Sequence, residues 1–310
     1  MSDESFVERF KFDELAQLPS TPPTLDADIT VAEVLYAAHA LRSLAAPGVD
    51  GLDALLLKAC LPKTADIDQR NRRNGAPDPL DNPVVLSLHR LMASFWRSEH
   101  VPAQLTQGRI TPILKPAGDA NTASSFRPIS VQPLLGKLYT HIILARLNAP
   151  LDAKLSPAQA GFRPGRGCIE QTITLHDSLT RRRAAGLPSV VVFIDLQKAY
   201  DQVWRKMLWA KLARFGVRGK MLRVLRDLYT NASQVVQVAD STSPPFEAEM
   251  GVKQGCLLSP LLFNCWLDDL VGRERLERDD LLVRIPGRSG MLLLSALLFA
   301  DDIGIIAANE

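Results

Sequence analysis

Near its C-terminal end the chain carries two strongly apolar runs, residues 291–300 and 303–308, with nothing between them but Asp301-Asp302. Such a pattern reads as a β-hairpin whose turn is acidic. Far upstream, residues 189–196 string together Val190, Val191, Val192, Phe193 and Ile194 and stop at Asp195, the pattern of a buried strand ending on a carboxylate. Asp195 and the Asp301-Asp302 pair, 106 residues later, therefore sit in similar settings. A carboxylate taken out of water is unfavourable unless a cation compensates it, so acids at the ends of apolar strands suggest a shared metal. For each acid alone, the competing reading is an ordinary strand end where solvent begins. Mg²⁺ prefers carboxylate oxygens together with substrate phosphates, and two such ions about 3.5–4 Å apart can clamp the entering and leaving oxygens of a phosphoryl transfer.

The charge pattern points to a source of phosphate. Residues 105–226 hold 20 Lys/Arg against 6 Asp/Glu, a local charge of +14, while the rest of the 310 residues holds 16 against 28, or −12. A block this basic suits a polyanion, although it could also be a solvated face or pair with the acidic remainder. With 46% hydrophobic and 23% charged residues the composition is that of a globular protein rather than a disordered or collagen-like one. Its longest apolar stretch, residues 290–300, falls short of the ~20 residues that span a bilayer, so no membrane anchor is expected. The N-terminus, MSDESFVERF, carries acids where a signal peptide carries bases, which predicts an intracellular protein. Cys60, Cys168, Cys256 and Cys265 lack CxxC or Cys/His ligand spacing, disfavouring disulfide and zinc frameworks.

Apolar spacing predicts a helix over residues 27–44, a second after the Pro-Gly-Val-Asp-Gly turn at 47–51, and a third from Val84 to Phe95, with an exposed loop over 63–83. Residues 109–115 alternate like a strand, and 116–125 read as a loop. Stripes over 134–147 and 169–179 predict two core-facing helices; 203–215, closed by Gly216, and 221–229 predict two more. Short strands are expected at 234–239 and 246–252, then a helix with Ser259 as N-cap and Pro260 at its first position.

Three blocks, FIDLQKAYDQV (193–203), GVKQGCLLSPLLFN (251–264) and LFADD (298–302), resemble in order and spacing the palm motifs A, B and C of reverse transcriptases, in the variants of the non-LTR (LINE-type) retrotransposon enzymes. APGVDGLDALLLKA, ITPILKPAGD followed by FRPISV, GKLYTHIILARL and AGFRPGRGCIEQ resemble the finger blocks of the same group, so the match runs from about residue 25 to the last. A lone ADD is weak, but ordered blocks leave little room for chance. The resemblance implies an α+β right-hand polymerase. Residues 1–24 would be an N-terminal tail, 25–188 mostly fingers with part of the palm, and 189–310 a palm with an antiparallel sheet carrying motifs A, B and C. The implied activity is RNA-directed DNA polymerisation, with an RNA template, a DNA primer and dNTPs as partners and the nucleus as the expected compartment.

The resemblance also assigns roles. Asp195 and Asp301 would bind two Mg²⁺ ions, Mn²⁺ being the alternative, with Asp302 as a third catalytic acid tuning the charge or the second metal. Leu196 would offer its backbone carbonyl to the nucleotide-side ion. The ions would activate a primer 3′-hydroxyl for in-line attack on the α-phosphate. Tyr200, five residues after Asp195, falls where the family places a ring beneath the sugar to exclude a 2′-hydroxyl; a core tyrosine is the competing reading. Gln254 would reach the incoming nucleotide, and Gly255, lacking a side chain, would let the template base approach, against a plain tight turn. Lys115 and Arg127 would hold the triphosphate, Arg127 by paired hydrogen bonds and Lys115 as a point charge. Phe299 and Ala300 would pack beneath the primer terminus. Arg163, Arg166 and residues 181–183 would contact template phosphates, with a surface charge run as the alternative. His39, His89, His100, His141 and His176 share no motif and read as structural.

Departures from the family pattern accompany the match. The sequence stops eight residues after Asp302, before the family's remaining palm strands, primer grip and thumb, with no endonuclease before it and no RNase H after it. The isolated chain is therefore expected to bind nucleic acid weakly and extend primers poorly, and the loop at 63–83 is longer than the fingers require. A catalytically silent nucleic-acid-binding remnant of a retrotransposon is the alternative function. A different Mg²⁺-dependent phosphoryl-transfer enzyme would leave Tyr200 and the Gln254-Gly255 pair without a purpose.

Overall fold

The computed structural model describes residues 17–63, 79–230, 232–270, 283–287, 290–294 and 296–307. Most of the expected N-terminal tail and residues 64–78 of the expected loop lie outside the described residues. Helix α1 (Val31–Ala40) starts at Thr30, whose hydroxyl accepts from the Glu33 amide while the Glu33 carboxylate accepts from the Thr30 amide, a reciprocal cap. Helix α2 (Ala54–Ala59) is capped by Asp53, and α3 (Pro83–Ser98) by Asn82, which accepts from the amides of Val84 and Val85. The short α4 (Ala103–Thr106) leads into strands β1 (Gly108–Leu114) and β2 (Phe126–Val131). Helices α5 (Leu134–Asp152) and α6 (Cys168–Ala184) precede strand β3 (Val190–Asp195). Helices α7 (Arg205–Arg214) and α8 (Gly219–Thr230) follow, then β4 (Ser233–Val238), β5 (Ser241–Thr242), β6 (Phe246–Glu247) and helix α9 (Ser259–Leu267). The described chain closes with β7 (Val283–Gly287), β8 (Gly290–Leu294), β9 (Ala296–Phe299) and β10 (Asp302–Ala307).

Two sheets frame the site. The first is five-stranded and mixed, in the order β2-β1-β4-β5 with β6 also on β4; β1 and β2 run antiparallel, β1 and β4 parallel. The second is three-stranded, β3-β10-β9, and antiparallel throughout. The α+β class expected from the sequence is observed. One apolar core joins the helices: Leu138, Ile143 and Leu147 of α5 are fully buried, as are Met92 and Trp96 of α3, Leu208 of α7 and Leu225 of α8. Burying each such side chain stabilises the fold by roughly 1.5–3 kcal/mol.

Four cations of the basic block pair with acids from outside it. Arg146 pairs with Glu33 at 2.6 Å and Arg223 with Glu99 at 2.5 Å. Lys211 pairs with Asp269 at 3.1 Å, and Lys220 lies 4.0 Å from Asp28. Burial opposes ionisation of Glu33, but hydrogen bonds from Arg146 and Thr30 still hold its carboxyl below the usual range.

Several expectations are corrected. Helix α6 does not face the core: only Ser178 and Arg182 are buried, and Ile169 and Ile173 are 73% and 61% exposed. Strand β3 is not buried either: among the described residues it pairs with β10 alone, and Phe193 is 74% exposed. The apolar run 291–300 is not one strand: β8 pairs with β7, whereas β9 pairs with β10. Ser259 is the first helical residue rather than the cap, and its buried hydroxyl sits 3.3 Å from the Tyr229 hydroxyl. Only Phe246–Glu247 of the strand expected at 246–252 is β-structure, because the chain there leaves the sheet to pack its backbone against residues 200–203.

Candidate active site

The antiparallel register of β3 and β10 sets Asp302 opposite Asp195, Ile303 opposite Ile194 and Gly304 opposite Phe193. On its other side Asp302 pairs with Phe299 of β9. The turn between β9 and β10 is therefore Ala300-Asp301, not Asp301-Asp302, and Ala300 takes a left-handed conformation at φ +58°. Asp195 and Asp301 both line a cleft of about 1200 Å³ between the two sheets; Asp302, exposed, does not line it. Among the described residues no three His, Cys, Asp or Glu side chains form a metal cage. Two carboxylates at the edge of an open cleft suit Mg²⁺, which commonly takes one or two protein carboxylates and completes its shell with water and substrate phosphates.

After Asp195 the chain turns through Leu196 and Lys198, the latter at φ +50°, and both residues line the cleft. Tyr200 follows, its ring stacked on Phe263 of α9 with centroids 5.0 Å apart and planes 10° apart. Its carbonyl accepts from the Val252 amide at 2.8 Å, and the Val203 carbonyl accepts from Gly251 at 2.8 Å, so motifs A and B are joined through backbone. Burial and then the charge of Asp301 push the Tyr200 hydroxyl well above the usual tyrosine range, and both residues line the cleft. Burial likewise raises the Asp201 carboxyl, with Lys198 opposing.

The opposite wall comes from the mixed sheet. Arg127 of β2 stands opposite Ile113 of β1, and Lys115 follows β1, its ammonium bonded to the Ser124 carbonyl at 2.9 Å. Both cations line the cleft, as do Gln254 and Gly255. The Gln254 carbonyl accepts from the Ser130 amide at 2.6 Å, which locks motif B to β2. Gly255 adopts φ +102°, and a Cβ there would lie 2.6 Å from the Ser130 carbonyl oxygen. Backbone contact with β2 and the positive φ each require glycine at this position.

Arg163 is not at a nucleic-acid surface. It is 7% exposed, and its guanidinium donates to Asp152 at 2.6 Å and to the carbonyls of Asp152, Ser156 and Gln159. A side chain committed to that many internal acceptors cannot also contact template phosphates. Arg182 is likewise 3% exposed and bonded to Ser189, and Arg181 pairs with Asp177, whereas Arg166 is exposed with one bond to the Pro157 carbonyl. Phe299 and Ala300 belong to the hairpin but not to the cleft lining. Three residues inside the matching blocks carry no role assigned by them: Lys198 and Phe162, which line the cleft, and Phe263, which backs Tyr200. Of these, Phe162 at φ +57° and 59% exposed is an outlier that a sequence cannot reveal. Among the histidines, the ring nitrogens of His39 and His89 meet the carbonyls of Pro62 and Ile29, in keeping with structural roles.

A mixed sheet beside an antiparallel hairpin that presents acids to a cation-walled cleft is an arrangement suited to phosphoryl transfer. The reverse transcriptase (RNA-dependent DNA polymerase) family matches residues 113–310, and the chain belongs to that family. The probable RNA-directed DNA polymerase from transposon BS of Drosophila melanogaster is 30% identical over 284 residues, covering 91% of this chain and 28% of that protein. The Pol polyprotein of the type-1 retrotransposable element R2 of Popillia japonica is 30% identical over 215 residues, covering 68% and 29%. The RNA-directed DNA polymerase from mobile element jockey of Drosophila funebris is 26% identical over 302 residues, covering 94% and 28%. The relatives are non-LTR retrotransposon polymerases, as the motifs imply, and the chain spans less than a third of the length of each. Among the described residues no helix is long and apolar enough to cross a membrane.

Proposed function

We propose that the chain is the fingers and palm of a retroelement reverse transcriptase that extends a DNA primer on an RNA template. The observation that carries this reading is the convergence of Asp195 and Asp301 with Tyr200, Gln254, Lys115 and Arg127 on one cleft, although these residues come from separate blocks of sequence. Asp195 and Asp301, with the Leu196 carbonyl beside them, would hold Mg²⁺, which when bound neutralises phosphate charge and favours ionisation of the primer hydroxyl. Lys115 and Arg127 face these acids across the cleft and hold the triphosphate, Arg127 as a planar fork and Lys115 as a point charge. Tyr200 cannot swing away from the sugar, because Phe263 stacks on it from behind. Its neutral hydroxyl adds no charge beside Asp301. The Gln254 backbone is pinned to Ser130, which leaves its amide side chain to meet the nucleotide.

Single-nucleotide addition to a primer on RNA and DNA templates, with Mg²⁺ and with the chain in excess, tests the reading. Extension on RNA that Asp195→Asn abolishes supports it. Binding of primer-template without extension, equal in the wild type and in Asp195→Asn, overturns it in favour of the silent binding remnant.

A further inference from the structure

Gln159 precedes the AGFRPGRG block and is 3% exposed. Its carboxamide makes three hydrogen bonds: Oε1 accepts from the Ala300 amide at 2.9 Å and the Gly161 amide at 2.8 Å, and Nε2 donates to the Ala300 carbonyl at 3.2 Å. One side chain thus holds both backbone polar groups of Ala300. The flanking backbone is joined to the same hairpin, with Ala160 donating to Leu298 at 2.9 Å and Leu298 to Ala158 at 3.0 Å. Asn264 of α9, 2% exposed, donates to the Gly161 carbonyl at 2.8 Å. The fit is tight, since a Cβ on Gly161 would stand 2.1 Å from the Ala300 nitrogen.

The hairpin needs such a clamp for a reason visible in its register. Ladder pairing fixes Asp302 against Asp195 and Phe299, and it ends there. Ala300 and Asp301 lie outside the ladder, and Ala300 at φ +58° occupies a region that residues with a Cβ rarely adopt unless their surroundings impose it. Sheet geometry alone therefore does not determine where Asp301 points.

We propose that Gln159 is a positioning residue that holds the Ala300-Asp301 turn so that the Asp301 carboxylate faces the cleft beside Asp195. The inference rests on the polymerase reading given above and adds to it a residue that no catalytic motif contains. Gln159 touches neither nucleotide nor primer; it acts through the backbone of Ala300.

The test compares wild type, Gln159→Met and Asp301→Asn, all as the full chain. Methionine preserves length and volume and removes all three hydrogen bonds. Two quantities are read: Mn²⁺ affinity by electron paramagnetic resonance titration, and kcat and dNTP KM for single-nucleotide addition. Gln159→Met should lower Mn²⁺ affinity about 10- to 100-fold, the range for losing a group that orients a metal ligand. It should lower kcat by a similar ~10²-fold, as a 1 Å misplacement does. The dNTP KM should stay near wild type, because Lys115, Arg127 and Gln254 lie on other elements. A variant with a lower melting temperature but wild-type kcat and Mn²⁺ affinity overturns the proposal, provided Asp301→Asn loses both. If Asp301→Asn keeps both, the polymerase reading of the cleft fails first. Gly161→Ala, which pushes on the turn from the other side, should reproduce the Gln159→Met pattern. In wild type the Ala300 amide should exchange slowly with deuterium; fast exchange there overturns the proposal without any variant.

Discussion

Asp302 is the direct cross-strand partner of Asp195, and this pairing puts Asp301 on the turn one residue beyond the ladder. The three acids are therefore unequal: Asp195 and Asp301 face the cleft, while Asp302 is a ladder residue outside its lining. Replacing Asp195 or Asp301 by Asn keeps shape and removes charge needed beside cations and a triphosphate, so turnover should fall by several orders of magnitude. Asp302→Asn should cost far less. Circular dichroism should show all three folded, and near-normal extension by either cleft variant would sink the assignment.

Sugar selection should depend on a stack rather than on one ring. Tyr200→Val removes the ring and should raise rNTP incorporation relative to dNTP sharply. Phe263→Leu leaves Tyr200 in place but removes its flat backing, so the same ratio should shift in the same direction by a smaller factor, with a stability loss of about 1–2 kcal/mol. Competition between the two nucleotide classes on one template reads both variants; an unchanged ratio in an active Tyr200→Val would make the tyrosine a packing residue.

Primer-template affinity should carry a salt dependence set by few cations. Arg146, Arg163 and Arg223 are engaged by Glu33, Asp152 and Glu99, whereas Lys115, Arg127 and Lys198 line the cleft and are the candidates for phosphate contact there. Arg127→Ala should reduce the log-log salt slope by about one ion. Arg163→Ala should leave the slope alone and lower stability by about 1–3 kcal/mol instead, because it orphans buried acceptors. The reverse pattern would return Arg163 to the nucleic-acid surface.

Lys253 gives stability an alkaline signature. Burial lowers its pKa from 10.5 to about 8; its ammonium donates to the Thr106 carbonyl at 2.9 Å and sits 5.7 Å from the Tyr229 ring centroid. Above pH 8 the folded state binds fewer protons here than the unfolded state, so stability should rise with pH. Buried Cys265 acts oppositely from pH 9, where the unfolded thiol ionises and the folded one does not, and the buried tyrosines add to that above pH 10. Urea unfolding should thus show a rise from pH 8 to 9 followed by a plateau and a fall. In Lys253→Met the rise should shrink, leaving the smaller contribution of Lys137, whose pKa burial also lowers.

At acid pH the sign is set by other groups. Arg223 holds the Glu99 carboxyl below its ordinary 4.5, and Glu33 is depressed as well, so their contribution is present above about pH 4.5 and lost as pH falls further. Glu33 is the better anchored of the two, since Arg146 is almost wholly buried beside it. Glu33→Gln and Glu99→Gln should each flatten acid unfolding, as followed by urea titration across this range.

Much of the site was legible in the sequence because its signals are local. Five apolar residues ending in an acid mark β3, two acids between apolar runs mark the β9–β10 hairpin, and the spacing of three blocks marks the family. Periodicity, however, says which residues share a face and never what lies over that face. That is why α6 and β3 read as core-facing yet leave Ile169 and Phe193 open, and why arginines in a basic run read as phosphate contacts although Arg163 and Arg182 turn inward to internal acceptors. The same limit hid the partners that come from distant sequence: Phe263 behind Tyr200, Ser130 against Gly255 and Gln159 around Ala300. The amino-acid order by itself determined the family, the apolar runs and the acids they carry, since these depend on neighbours along the chain. Which acid faces the cleft was decided only by tertiary structure, because it depends on the register of β3 against β10 and on how the turn between β9 and β10 is held, and both are contacts between segments far apart in sequence.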